Sequence, residues 1–184
     1  MPLPLAERIT YAQYRQLPDD GKRYEVIDGE LYVTPSPVWT HQRISFWITC
    51  LIGGWIEQNG LGCLQSAPLD VILSDDTIVQ PDHLFIRKER VPTIVGQWVH
   101  GQPDLAIEIL SPSTAGRDQV VKRSAYARHG ISEYWIVDPE TRSVTVLVLK
   151  GKHYAKLGSV CGDRFISSSV LSGLPVHAAD LFRD

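Results

Sequence analysis

One short stretch constrains the fold more than any other part of the chain. Residues 103–111 read Pro-Asp-Leu-Ala-Ile-Glu-Ile-Leu-Ser, and from Leu105 to Leu110 the run is apolar on both alternating faces except for one carboxylate, Glu108. A strand with one solvated face alternates apolar and polar residues; a run without that alternation is a strand covered on both sides. The stretch 133–139, Glu-Tyr-Trp-Ile-Val-Asp-Pro, has the same character and is closed by Pro139. Between the two, residues 113–130 read as a helix stopped by Gly130. Buried strands joined through a helix predict an α/β fold.

The rest of the chain fits that class. Thr10 stands as an N-cap before a short helix that stops at Pro18. Residues 23–34 form two strand-like runs joined by Asp28-Gly29, a strong hairpin signal. Thr40 is the expected N-cap of a longer helix, in which Ile44, Trp47, Ile48, Leu51 and Trp55 recur at helical spacing until Asn59-Gly60. Residues 61–73 read as one or two strands. The run 77–86 reads as a strand interrupted by Pro81, hence an edge strand or one broken by a bulge. Residues 87–102 are loop-like, 143–150 and 151–157 form a strand pair joined at Lys150-Gly151, and the tail has a strand-to-short-helix pattern. No repeat, linker or low-complexity tract interrupts the 184 residues, so a single domain, 1–184, is expected.

Composition narrows the function classes. With 43% hydrophobic and 21% charged residues, the chain is neither a disordered tail nor a collagen-like or coiled-coil rod. Its 18 Lys+Arg against 21 Asp+Glu, net −3, argues against coating of nucleic acid by bulk electrostatics, while leaving a local basic face open. Cys50, Cys63 and Cys161 are widely spaced and unpaired in pattern, as expected of reduced thiols in a cytoplasmic protein. The first residues lack the pattern of a signal peptide, and no apolar run approaches the roughly 18 residues of a membrane span.

Glu108 carries the chemical interest. An ionised carboxylate in a doubly covered strand costs several kcal/mol unless it is paired. It is therefore either a structural partner of an Arg or Lys, or a metal ligand or catalytic acid/base. Asp82, after Pro81 and before Leu84 and Ile86, makes the same argument more weakly, with a turn or bulge as the plain alternative. Two carboxylates from neighbouring strands form a minimal Mg²⁺ site. Asp104 shares the face of Glu108 but lies four residues away, at about 3.3 Å each, too far for one ion; it reads as structural. Asp118, Lys122 and Tyr126 follow at i, i+4 and i+8. They form either a surface Asp–Lys pair or a face from which Lys122 reaches back toward Glu108.

Taken in order, Pro81-Asp82, Glu108-Ile109-Leu110-Ser111-Pro112-Ser113, Asp118, Lys122, Tyr126 and 130–135, Gly-Ile-Ser-Glu-Tyr-Trp, resemble a bacterial family of restriction-endonuclease-like proteins. That family is abundant in cyanobacteria and belongs to the PD-(D/E)XK nuclease superfamily. The likeness extends upstream to His41 and to residues 24–30, Tyr-Glu-Val-Ile-Asp-Gly-Glu. It implies the restriction-endonuclease-like fold, a central mixed sheet flanked by helices, here with an N-terminal hairpin. It implies Mg²⁺ or Mn²⁺ held by Asp82 and Glu108 with the carbonyl of Ile109, and phosphodiester hydrolysis. In the usual pattern a Lys stands two residues after the acid; that position here is Leu110. Lys122 is the lysine that matches the related family, so its reach to the site is the decisive point.

Glu25 and His41 are supporting candidates by the same resemblance. From position alone, Glu25 could face solvent in its hairpin, and His41 could be a packed residue on the helix face of Ile44 and Ile48. The five tryptophans read as core or dimer interface. Arg87, Lys88 and Arg90, interleaved with Glu89, read as a solvated loop. The resulting expectation is a metal-dependent nuclease acting on DNA, acting as a homodimer by analogy. Its rivals are a non-catalytic relative that binds nucleic acid or protein, and a hydrolase of another phosphate substrate.

Overall fold

A computed structural model describes residues 8–112 and 115–183. Ser113, which opens the expected helix, and the first seven residues, which lack a signal-peptide pattern, lie outside the described residues. Helix α1 (Tyr11–Tyr14) is shorter than the sequence suggests and begins at the expected cap. The Gln13 N–H donates to the Thr10 hydroxyl, and the Thr10 N–H donates to the Gln13 side chain, a capping box. Strands β1 (Arg23–Ile27) and β2 (Glu30–Thr34) form the expected hairpin. Asp28 and Gly29 have φ of 54° and 80°, the two left-handed positions of a type I′ turn.

Helix α2 (Trp39–Trp47) starts at the first residue beyond the extended backbone of Val38, so Thr40 lies inside the helix and no side chain caps it. A wider turn over Ile48–Gly53 leads directly into α3 (Gly54–Gln58). Ile44, Ile48, Ile52 and Ile56, four apart, are all buried, the single apolar stripe that holds this long helical passage against a sheet.

Strands β3 (Gly62–Ser66), β4 (Val71–Ser74), β5 (Thr77–Val79) and β6 (His83–Arg87) follow. The run 77–86 is thus two strands, not one. Pro81 has no N–H to give a ladder, and the chain changes sheets there. Strand β6 has neighbours on both sides and is not an edge. Helix α4 (Val91–Ile94) and β7 (Val99–His100) lie in the segment expected to be loop. Strand β8 (Leu105–Ile109) is buried at every position, as its sequence requires. A second wide turn (Arg117–Lys122) runs into α5 (Arg123–Arg128), which gives way to Gly130 at φ 81°. Strands β9 (Glu133–Asp138), β10 (Ser143–Lys150) and β11 (His153–Cys161) and a final 3₁₀ turn (Ala178–Phe182) complete the chain.

The strands form two mixed sheets flanked by helices, ordered β2-β1-β5-β4-β7 and β11-β10-β9-β8-β6-β3. This is the expected α/β class, but with two sheets rather than one central sheet: the hairpin joins β5, β4 and β7 in a sheet separate from the one that carries Glu108. One core packs the isoleucine stripe of α2 and α3 against Phe85, Ile107 and Trp135 of the larger sheet. The other packs α5 with Ile27, Val79, Leu84 and Tyr134. Glu133 is buried within β9, and its carboxylate accepts from Trp135 Nε1 at 2.6 Å, from the Ser169 N–H at 2.7 Å and from the Ser168 hydroxyl at 2.5 Å. Those bonds satisfy the charge and tie the C-terminal segment to the sheet.

Candidate active site

The site lies where the two sheets, α2 and the turn before α5 converge. Strands β6 and β8 are antiparallel, with His83 opposite Ile107 and Leu84 opposite Ala106. Asp82 stands immediately before β6, one residue beyond that register, beside the end of β8 that carries Glu108 and Ile109. Asp82 Oδ2 accepts from the Ile109 N–H at 2.9 Å and lies 3.0 Å from His41 Nε2. Burial works against ionisation of Asp82, but the hydrogen bond and charge of His41, the charge of Lys122 and the Ile109 N–H outweigh it and hold the carboxyl below its ordinary range.

Lys122 is 1% exposed. Its Nζ lies 2.9 Å from Glu108 Oε1, 2.9 Å from Glu25 Oε1 and 3.9 Å from Asp118 Oδ1. Burial alone would strip its proton; the surrounding carboxylates, Glu108 and Glu25 foremost, reverse that and keep the ammonium charged. The wide turn over 117–122 and α5 bring Asp118, Lys122 and Tyr126 to the same place, and the Tyr126 hydroxyl donates to Glu108 Oε1 at 2.6 Å.

The two glutamates respond differently. Glu25 is fully buried, and burial opposes its charge. Lys122, Arg117 at 3.4 Å and the Gln80 N–H at 2.7 Å overcome this and pull its carboxyl below the ordinary range. For Glu108, burial raises the value, Lys122 only partly offsets it, and Asp118, Asp82 and Glu25 add to the rise, to about 8.

A pocket of about 260 Å³ opens onto this cluster, lined by Arg23, Asp82, Glu108, Arg117, Asp118 and Lys122 among others. Arg23 reaches Asp82 Oδ1 only at 3.8 Å, and the buried Nε atoms of Arg23 and Arg117 have no hydrogen-bond partner among the described residues. The residues fit a divalent cation. Glu25, Asp82, Glu108 and Asp118 meet the cationic side chains of Arg23, Arg117 and Lys122. Among the described residues no three His, Cys, Asp or Glu side chains gather as a ready metal cluster. The donors on offer are the carboxylates of Asp82 and Glu108, which line the same pocket, a set that suits an ion keeping much of its water.

The sequence matches the family Uma2, described as "Putative restriction endonuclease", over residues 11–179. This chain belongs to that family. Among solved structures it is similar to "a putative nuclease belonging to DUF820" from Anabaena variabilis, at 22% identity over 95% of this chain and 97% of that one, with a TM-score of 0.81. At that identity the likeness is one of fold. No curated protein matches the chain.

Within this Uma2 chain, the five side chains singled out from sequence come together as two groups: His41 with Asp82, and Lys122 with Glu25 and Glu108, with His41, Asp82, Glu108 and Lys122 lining one pocket. Ile109 joins the first group through its N–H. Glu25 faces inward rather than to solvent, and His41 is bonded to Asp82 rather than simply packed. Leu110, where a lysine stands in the usual pattern, is buried, and Lys122 reaches Glu108 from the following helix. Asp104 is structural: it accepts from the Arg87 N–H at 3.0 Å and pairs with Arg90 at 3.0 Å. Arg23 and Arg117 were not singled out. Arg23 stands two residues before Glu25, on the same strand face, and that spacing is the one signal that could have found it. No helix among the described residues is long and apolar enough to cross a membrane.

Proposed function

We propose that this protein is a divalent-metal-dependent nuclease that hydrolyses phosphodiester bonds of DNA. The observation that carries the reading is the pair Asp82 and Glu108 in one pocket, with the Lys122 ammonium 2.9 Å from Glu108. The donor set suits Mg²⁺ or Mn²⁺, which when bound polarises a phosphate and acidifies water. His41 and the Ile109 N–H fix the orientation of Asp82 and keep it ionised. Lys122, held charged between Glu25 and Glu108, offsets negative charge developing on the phosphate. Arg23 and Arg117 point guanidinium donors at the same pocket, where charge-assisted hydrogen bonds to phosphate oxygens are strong. Glu25 anchors Lys122 and Arg117 from behind and so sets where both cations stand.

The test is nicking of supercoiled plasmid by the wild type, Asp82→Asn and Glu108→Gln, with Mg²⁺, Mn²⁺ or EDTA. The expected result is metal-dependent nicking by the wild type and a loss of about a hundredfold or more in each variant. Equal nicking by all three proteins would refute the reading, as would undiminished activity in EDTA.

A further inference from the structure

We propose that Tyr126 is a positioning residue: with Lys122 it occupies one oxygen of Glu108, makes that carboxylate a one-oxygen ligand, and so sets the site's preference for Mg²⁺ or Mn²⁺ over Ca²⁺. The inference rests on the metal-dependent reading of the pocket and deepens it, from which residues hold an ion to which ion they select.

The protein holds its own comparison. Among the described residues three glutamates are buried, Glu25, Glu108 and Glu133. Glu133 takes donors on both oxygens: Trp135 Nε1 and the Ser168 hydroxyl on Oε1, the N–H groups of Ser169 and Val170 on Oε2. Glu25 does the same, with Lys122 and the Gln80 N–H on Oε1 and Arg117 and the Thr34 hydroxyl on Oε2. Use of both oxygens is what burial asks of a structural carboxylate, and neither of these two is among the described residues that line the pocket. Glu108 differs. Lys122 Nζ at 2.9 Å and the Tyr126 hydroxyl at 2.6 Å both donate to Oε1, while Oε2 accepts no hydrogen bond from the described residues. That oxygen is not among the enclosed polar atoms that lack a partner, and Glu108 lines the pocket. Its free oxygen therefore opens there.

Asp82 repeats the pattern. His41 Nε2 and the Ile109 N–H both engage Oδ2, and Oδ1 meets Arg23 only at 3.8 Å, beyond hydrogen-bond reach. Each carboxylate that lines the pocket from β6 and β8 thus has one oxygen held by two donors and one oxygen to offer.

This arrangement discriminates between ions. A carboxylate oxygen has about two acceptor positions, and on Glu108 Oε1 both are taken. The Lys122 ammonium divides its attention, since Glu25 holds the same Nζ at 2.9 Å. Tyr126 has one hydroxyl proton, and it goes to Glu108. Its ring is wholly buried and stands edge-on to Tyr134 with centroids 5.2 Å apart, so the hydroxyl is fixed in place. Mg²⁺ binds one oxygen per carboxylate and fills its octahedral shell with water, whereas Ca²⁺ gathers about six to eight oxygens and often takes both from one carboxylate. Withholding Oε1 costs Ca²⁺ a ligand and costs Mg²⁺ none.

The experiment measures Mn²⁺ binding from the electron paramagnetic resonance signal of the free ion, with Mg²⁺ and Ca²⁺ as competitors and plasmid nicking alongside. Wild type, Tyr126→Phe, Tyr134→Phe and Asp82→Asn are compared. Tyr126→Phe keeps the ring and removes the donor. It should raise the ratio of Ca²⁺ to Mg²⁺ affinity about tenfold or more, the usual scale for loss of a group that orients a metal ligand. Tyr134→Phe controls for packing, because that buried hydroxyl donates to the Asp118 carbonyl rather than to Glu108; its ratio should match the wild type whatever stability it loses. An unchanged ratio in Tyr126→Phe, an equal shift in Tyr134→Phe, a wild type that binds no Mn²⁺, or Mn²⁺ binding that survives Asp82→Asn overturns the proposal. Crystals of the wild type with Mn²⁺ give a check that needs no variant: Glu108 should touch the ion through one oxygen, and contact through both overturns the proposal. If the ratio shifts as expected but the wild type never nicks, the clamp on Glu108 stands and the nuclease reading fails. If the wild type nicks with metal while the ratio holds, the nuclease reading stands and the clamp fails.

Discussion

Replacing Lys122 by Met tests the electrostatic account of the site. Methionine keeps the length of the buried stem, so the change removes the charge while leaving most of the packing. Burial raises the Glu108 carboxyl in spite of Lys122, whereas Glu25, whose carboxylate lies 2.9 Å from the ammonium, is held ionised chiefly by it. Arg117, at 3.4 Å from Glu25, remains, but it shares its charge with Asp118 at 3.8 Å. Removing one member of a buried ion pair typically costs about 3–5 kcal/mol. For a chain of this size that lowers the melting temperature by about 10 °C or more. The loss should depend on pH in a definite direction. With Lys122 gone, burial, the largest influence on Glu25, is expected to outweigh Arg117 and the Gln80 N–H and to lift the carboxyl above its unfolded value of 4.5, so that the folded variant binds a proton the unfolded chain has released. Above about pH 4.5 the destabilisation then grows by up to about 1.4 kcal/mol per pH unit. Urea denaturation of wild type and variant at pH 5, 6 and 7 reads both quantities. A loss below about 1 kcal/mol at pH 7, or one that stays constant with pH, would show that the charge of Lys122 is not what holds these carboxylates.

Two further outcomes follow from particular residues. Gly62 has φ 149°, and a Cβ there would lie 2.1 Å from the Ile86 carbonyl oxygen. Gly62→Ala should therefore destabilise by about 3 kcal/mol or more through the β3–β6 pairing, and an unchanged urea midpoint would contradict this. His83 is wholly buried, with Nε2 2.9 Å from the Ser45 hydroxyl, and burial drives its value down to about 4. Between pH 6.5 and 4 the unfolded chain takes up a proton that the folded chain refuses, so stability falls as pH falls, by about 3 kcal/mol over the window. His83→Gln should flatten that part of the curve relative to wild type, with the carboxylates common to both cancelling; parallel curves would count against it.

Much of this molecule is written in short-range pattern. Asp28-Gly29 makes the turn of the hairpin because two left-handed residues are needed there. The isoleucines at four-residue spacing make the buried stripe of α2 and α3, and the unbroken apolar run around Glu108 makes a doubly covered strand. The same run exposes Glu108 as anomalous, and the residue types that could answer it, Asp82 and Lys122, are readable in sequence by their chemistry and by family likeness. What the sequence does not carry is which distant group meets which. Pro81 marks a break in the strand, but only the fold shows that the break carries the chain from one sheet to the other and so delivers Asp82 to the end of β8 that carries Glu108. Glu25 looks like a hairpin residue free to face water until Lys122 and Arg117, from the segment that follows β8, pair with it. Arg23 and Arg117 become pocket residues, and Trp39 an exposed one, through the same long-range packing. Strand and helix patterns depend on neighbours within a few residues, whereas burial of a charge is tolerable only when a partner of opposite sign is brought to within about 3–4 Å. Tertiary structure alone supplies that distance.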